Sequence, residues 1–310
     1  MIGRHRVLLE PREVPLGGVR NMHVLRTLPH RNLPTIGAWC FLDRFGPAQV
    51  RMRLEPHPHI GLQTVTWPLV GEIRHRDSVG SDVDLRRGQL NLMTAGNGIV
   101  HSEYSVGEDA GPLDALQLWV ALPEGARTHA HGFEQHTSLP AVQLAAAEGE
   151  DATAIVVLGR FAGVDSPATV HTPIVGAEVR ATAGSRVALP LDARWEHAVL
   201  LVEGDAEVDG HRLDVNGMLY LGDSRDDVEV STDAGALLFL LGGEPFAEDL
   251  VMWWNFAARS HDEIVEAREA WEAAGASGSD RFGHVPGHGE ERIPAPPIPP
   301  VRLLPRIRKL

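Results

Sequence analysis

Cysteine is almost absent from the chain: Cys40 is the one example in 310 residues. No intrachain disulfide is possible, and nothing calls for an oxidising compartment. Positive charge is also short, with 28 Lys and Arg against 42 Asp and Glu and a formal net charge of −14. An acidic surface repels phosphate backbones, which argues against direct nucleic-acid binding. The exception is local, in Arg302, Arg306, Arg308 and Lys309. Long hydrophobic runs are missing as well. The start, from Met1 to Arg6, leads into only Val7-Leu8-Leu9 before Glu10, too short for the apolar region of a signal peptide. The longest apolar run in the C-terminal half, Ala236 to Leu241, is far below a membrane span. The expectation is a soluble, cytoplasmic protein with no membrane partner.

What is abundant points to strands. Hydrophobic residues make up 43%, enough for a core, and 32 Gly with 22 Pro suit many short strands joined by tight turns. Between Val199 and Leu221 the turn signals Glu203-Gly204-Asp205, Asp209-Gly210 and Asn216-Gly217 separate short apolar runs, which predicts an antiparallel meander. A similar phrase surrounds Gly71 and Gly88. Gly71 matches Gly204 at an offset of 133 residues and Gly88 matches Gly217 at 129, so the chain reads as a duplicated β-barrel. One helix is signalled by the capping pattern Ser260-His261-Asp262-Glu263, with Ile264, Ala267 and Trp271 on one face and Gly275 and Gly278 at its end. From Pro286 to Pro305 the chain is proline-rich, extended and without a core of its own. The division expected is 1–135 for a metal-binding barrel, 136–260 for a second barrel without ligands, and 261–310 for the helix and tail.

Chemistry concentrates in Glu55-Pro56-His57-Pro58-His59 and His101-Ser102-Glu103. Strand residues i and i+2 share a face. His57 and His59 therefore point together, as do His101 and Glu103. If the two segments are neighbours, three imidazoles and a carboxylate converge, a set that suits Fe(II), Mn(II), Ni(II), Cu(II) or Zn(II) with positions left open. The prolines stiffen the first segment, and Gly96 and Gly98 allow a turn before the second. His129-Ala130-His131, with His136 nearby, reads instead as an exposed linker. His75 and Asp77, beyond a hairpin turn, read as a structural hydrogen-bonded pair, with a supporting role to the site as the alternative. Cys40 reads as a buried small hydrophobe, Trp253 and Trp254 as packing, and Gln117 with Trp119 as a strand face lining the pocket. In the second repeat the offsets carry the ligand positions onto Pro190, Asp192, Val230 and Thr232, so no second metal is expected, and His197 stands alone there.

The run from His57-Pro58-His59-Ile60-Gly61-Leu62-Gln63-Thr64-Val65-Thr66 through His75-Arg76-Asp77-Ser78 to Met93-Thr94-Ala95-Gly96 and His101-Ser102-Glu103 resembles the pirin family. Phe41-Leu42-Asp43-Arg44-Phe45-Gly46-Pro47, Leu116-Gln117-Leu118-Trp119 and Gly242-Gly243-Glu244-Pro245 extend the likeness. The resemblance implies an all-β fold of two tandem cupin barrels. It also implies one divalent metal, iron(II) first, with Mn, Ni, Cu, Co or Zn as alternatives, held by His57, His59, His101 and Glu103. Gln63 stands where many cupins have a glutamate ligand; pirin-like proteins take their carboxylate from the second motif. The activity implied is that of a quercetin 2,3-dioxygenase, acting on a flavonol-like substrate and dioxygen with Glu103 as general base. The other function implied is a non-enzymatic, redox-dependent regulator with a protein partner.

Overall fold

The computed structural model describes residues 6–16, 22–129 and 131–309, so Met1 to His5 and Ala130 lie outside the described residues. Strands dominate, as the turn-rich composition predicts, and they assemble into two barrels. In the first, a seven-stranded sheet runs in the order Gly132–His136, Leu90–Thr94, Leu62–Val70, Gly111–Ala121, Trp39–Val50, His23–Leu28, Arg12–Pro15. A four-stranded sheet faces it, in the order Arg53–His59, Ile99–Ser105, Glu72–Asp77, Asp82–Arg86. The second barrel repeats the plan. Its larger sheet runs Val7–Leu9, Met218–Gly222, Glu196–Gly204, Ala236–Gly243, Ile174–Ala181, Ala152–Phe161, Ala141–Leu144.

Read in order, the two large sheets correspond strand for strand, which is the duplication that the glycine offsets predict. The edge strands are exchanged along the chain. Val7–Leu9, from the start of the chain, completes the second barrel's sheet by pairing with Met218–Gly222. Gly132–His136 closes the first by pairing with Leu90–Thr94. This corrects the linker reading of His136: it lies in a strand with its ring on Glu134 at 3.0 Å, because Phe133 in that strand has a buried ring to stack on. His129 is exposed, as expected. The meander reading is corrected too. Ala206–Val208 and His211–Leu213 form a hairpin around Asp209 and Gly210, both at positive φ, but they belong to the smaller sheet. Glu196–Gly204 pairs instead with Met218–Gly222 and Ala236–Gly243, because a barrel passes the chain from one sheet to the other at Gly204.

The two large sheets pack against each other. Leu42, Val65, Trp67, Leu116 and Leu118 meet Leu158, Ala198, Leu200, Phe239 and Leu241 in one continuous apolar cluster. Trp39 crosses the boundary and donates its Nε1–H to the carbonyls of Val175 (3.0 Å) and Gly242 (3.2 Å). Its ring occupies the space a Cβ on Gly176 would need, at 2.9 Å, which is why that strand carries glycine there. Strand alternation then separates the other faces. In the second barrel the inward residues are aliphatic, with Val156, Val179, Val199, Leu201, Leu219 and Leu240 among a closed core. In the first barrel the inward residues include Thr64 and Thr66, and the interior stays open.

The helix His261–Ala274 forms as its signals predict. Ser260 accepts from the Glu263 N–H at 3.3 Å, and Ile264, Ala267 and Trp271 are buried. The Glu263 carboxylate reaches the Arg259 N–H rather than that of Ser260. The tail is anchored along the first barrel: Ile293 N–H donates to Pro56 O at 2.8 Å, and Trp271 Nε1 to Ile293 O at 3.0 Å. Gly98 is glycine because the tail approaches it, with a Cβ there falling 2.8 Å from Arg281 O, and not because a turn needs it. No helix among the described residues is long and apolar enough to cross a membrane.

Candidate metal centre

Arg53–His59 and Ile99–Ser105 are antiparallel neighbours, with His101 opposite His57. Pro56 and Pro58 are tolerated because Arg53–His59 is the edge of its sheet, where a missing donor breaks no ladder. A register shift between His101 and Glu103 places Leu54, not Glu55, on the cavity side. The imidazoles of His57, His59 and His101 form a triangle with ring centroids 4.4 to 5.2 Å apart. One nitrogen from each lies within 4.8 Å of the others. Glu103 lies beside this triangle. Within the same span it gathers with His101 and His75, not with all three imidazoles at once. Its Oε1 is 3.2 Å from the Thr66 hydroxyl, which also lies 3.0 Å from Gln117 Oε1.

Burial governs the protonation of these groups. It lowers the His57 imidazole to about 4 and drives His59 and His101 well below the ordinary imidazole range, with neighbouring imidazoles adding to the effect. All three are therefore neutral near pH 7, as metal ligands must be. Burial raises the Glu103 carboxyl. The Nδ1 of His57 bonds the Glu55 carbonyl at 2.8 Å, and that of His59 bonds the Asn255 carbonyl at 3.0 Å. Both rings are thus oriented from behind. His101 Nε2 is buried without any hydrogen-bond partner. An orphaned, buried nitrogen on an imidazole packed beside two other neutral imidazoles is costly unless something accepts its lone pair. A divalent cation fits that demand.

The centre opens on a cleft of about 780 Å³. Phe41 and Trp119 stack at 3.9 Å in its wall, and Trp119 meets the edge of His59 at 5.1 Å. Gln117 and Trp119 both line it, as their shared strand face predicts. Trp254, expected to serve packing alone, lines it too. Two contributors escaped sequence reasoning. Asp43 faces the cleft, buried, and takes a bidentate bond from Arg26 at 2.7 Å. The proline-rich tail supplies Ile293, Pro294, Ala295, Pro296 and Pro297 to the opposite wall. Gln63 is buried elsewhere, bonding Thr94 Oγ1 and Thr169 O. Cys40 is fully buried, and burial pushes its thiol up to about 12. His197 is buried in the second barrel, where no metal-ligand cluster occurs among the described residues.

Sequence comparisons agree with this architecture. The profile of the family described as Pirin matches residues 18–120, and that described as the Pirin C-terminal cupin domain matches 176–277. A Pseudomonas aeruginosa protein bearing the name "Putative quercetin 2,3-dioxygenase" is 42% identical over 303 residues, spanning 96% of this chain and 92% of that one. A pirin-like protein of Caulobacter vibrioides is 35% identical over 261 residues, spanning 82% and 89%. The crystal structure of a quercetin 2,3-dioxygenase from Acinetobacter baumannii superposes with a TM-score of 0.87 at 37% identity, covering 96% of this chain and 97% of that one.

Proposed function

Since the chain belongs to the pirin family of two-barrel cupins, we propose that its first barrel is a metal-dependent dioxygenase site for flavonol-like substrates. His57, His59, His101 and Glu103 would hold one divalent transition metal, iron(II) first. The single observation that carries this reading is the convergence of three buried, neutral imidazoles on a cleft walled by aromatic rings. Relatives named for quercetin 2,3-dioxygenase activity support the reaction class.

When bound, the metal would supply Lewis acidity and a route for electrons between substrate and dioxygen. The chain's own residues do the rest. The three imidazoles arrive without a proton to displace. Glu103, whose carboxyl burial raises, accepts the proton of the substrate's enolic hydroxyl, and Thr66 steadies the carboxylate through Oε1. The stacked Phe41 and Trp119 offer a face to a flat aromatic ring. The tail prolines cover the other side and keep water from the reacting ring.

The test is turnover of quercetin, followed by loss of the flavonol absorbance, with protein loaded separately with Fe, Mn, Ni, Cu and Co. Glu103→Gln keeps the shape and removes the base, and turnover is expected to fall by about 10²- to 10⁴-fold. Absence of turnover with every metal refutes this substrate assignment.

A further inference from the structure

A neutral imidazole can bind a metal only through the nitrogen that lacks a hydrogen. For His57 and His59 that nitrogen is set by backbone. The Glu55 and Asn255 carbonyls can only accept, so Nδ1 carries the hydrogen in each ring and Nε2 is bare. His101 has no carbonyl behind it. Its Nδ1 lies 3.4 Å from His75 Nδ1, and either ring can donate across that gap.

The choice is made one residue further out. His75 Nε2 lies 3.1 Å from Asp77 Oδ2. Asp77 Oδ1 accepts the N–H groups of Val79 (3.0 Å) and Ser81 (2.9 Å). With two backbone N–H groups aimed at Oδ1, Asp77 is held in place as an acceptor. A carboxylate has no hydrogen to give, so His75 carries one on Nε2. In the tautomer that carries only this hydrogen, His75 Nδ1 is bare and accepts from His101 across the 3.4 Å gap. His101 thus keeps its hydrogen on Nδ1 and presents Nε2 bare, and this is the buried nitrogen that has no partner. The three groups are withdrawn from bulk solvent, with His75, Asp77 and His101 each at most 2% exposed. Phe133 stacks on His75 at 4.5 Å and fixes the plane of its ring.

We propose that Asp77 and His75 form a positioning relay that sets the tautomer of His101, so that all three imidazoles present Nε2 to one point. The purpose assigned to the relay rests on the metal-site reading above; the tautomer itself does not. The relay differs from the supports behind His57 and His59 because it ends on a charge. Through it a negative group backs one ligand of the three, which makes His101 the strongest donor of the set.

Asp77→Asn tests this with almost no change of shape. The amide oxygen can still accept from Val79 and Ser81, but its NH₂ then faces His75 Nε2. His75 must accept there, carry its hydrogen on Nδ1 and donate to His101. The hydrogen of His101 moves to Nε2, into the centre. In metal-free protein at about pH 8, above the ordinary imidazole range, ¹⁵N NMR is expected to find wild-type His101 protonated at Nδ1 and bare at Nε2. In the variant both His75 and His101 invert, while His57 and His59 do not. Affinity for Co(II) in the variant falls by about 10- to 100-fold.

A wild-type His101 carrying its hydrogen on Nε2, or an unchanged tautomer in folded Asp77→Asn, overturns the relay. If the variant does not fold, the wild-type spectrum alone decides. Predicted tautomers in a wild-type protein that takes up no divalent metal would uphold the relay and refute the metal site.

Discussion

Arg44 offers a sharp test of how the two barrels are joined. Its guanidinium is buried at 3% exposure, and it forms a bidentate pair with Asp114 at 2.9 and 2.6 Å. The remaining nitrogen crosses to the second barrel and donates to Val202 O and Asn216 Oδ1, both at 2.7 Å. Replacing Arg44 by Met keeps most of the volume and removes every one of these bonds. Asp114, itself 1% exposed, is left as a buried carboxylate with no cation. Breaking such a pair from one side costs about 3–5 kcal/mol. With a urea slope near 3 kcal/mol/M, a loss of 4 kcal/mol moves the midpoint down by roughly 1.3 M. The double variant Arg44→Met with Asp114→Leu should regain most of the loss, because two apolar groups need no partner. Metal uptake should be unaffected in the folded protein, since Asp43 and Phe45 on the same strand face the cleft and Arg44 faces away from it. A single-variant loss below about 1 kcal/mol, or a double variant no better than the single one, would refute the claim that this pair is a closed, dry bridge between the barrels.

Three further outcomes follow from the same structure. Thr66→Val removes the hydroxyl beside Glu103 and should weaken divalent-metal binding by about 10- to 100-fold, measured by competition with a chelator, while Thr66→Ser retains affinity. Burial of His197 lowers its imidazole from the ordinary 6.5 to about 4, so the unfolded chain binds its proton first as pH falls. Stability is full above pH 6.5 and declines toward pH 4, and His197→Asn should lessen that decline by about 3 kcal/mol in urea titrations at the two ends of the window. Trp271→Phe removes the bond to Ile293 O, and hydrogen exchange in residues 290–298 should speed up, with about 1 kcal/mol lost from the tail's docking.

The candidate centre was legible in the sequence where the physics is local. His57 with His59, and His101 with Glu103, share faces because a strand alternates with period two, and that rule needs no knowledge of the rest of the chain. The capping of the 261–274 helix is legible for the same reason. Pairing over long distances is not. Nothing in Val7-Leu8-Leu9 says that it will lie beside Met218–Gly222, and the exchange of edge strands made Gly132–His136 look like a linker. Backbone groups were invisible as well. His59 is oriented by the carbonyl of Asn255, almost two hundred residues away, and every residue type offers that same acceptor. The tail reads from composition as an extended strap. Its place in the cleft wall depends on bonds to Pro56 and Trp271, which composition does not encode.

The contrast between the two interiors explains why the chain carries both barrels. Corresponding strands put Thr64 and Thr66 inside the first barrel and Val199 and Leu201 inside the second. A buried Val or Leu contributes about 1.5–3 kcal/mol. A barrel that holds His57, His59, His101, Glu103, Asp43 and Gln117 in its interior forgoes that contribution and must satisfy each polar group besides. The second barrel makes up the difference with a closed aliphatic core, and the apolar cluster between the large sheets carries its stability across. The tail supplies the remaining wall of the cleft. An open, polar centre is thus sustained by packing that lies mostly outside the barrel containing it, so losses in the second barrel's core should be felt at a site in the first.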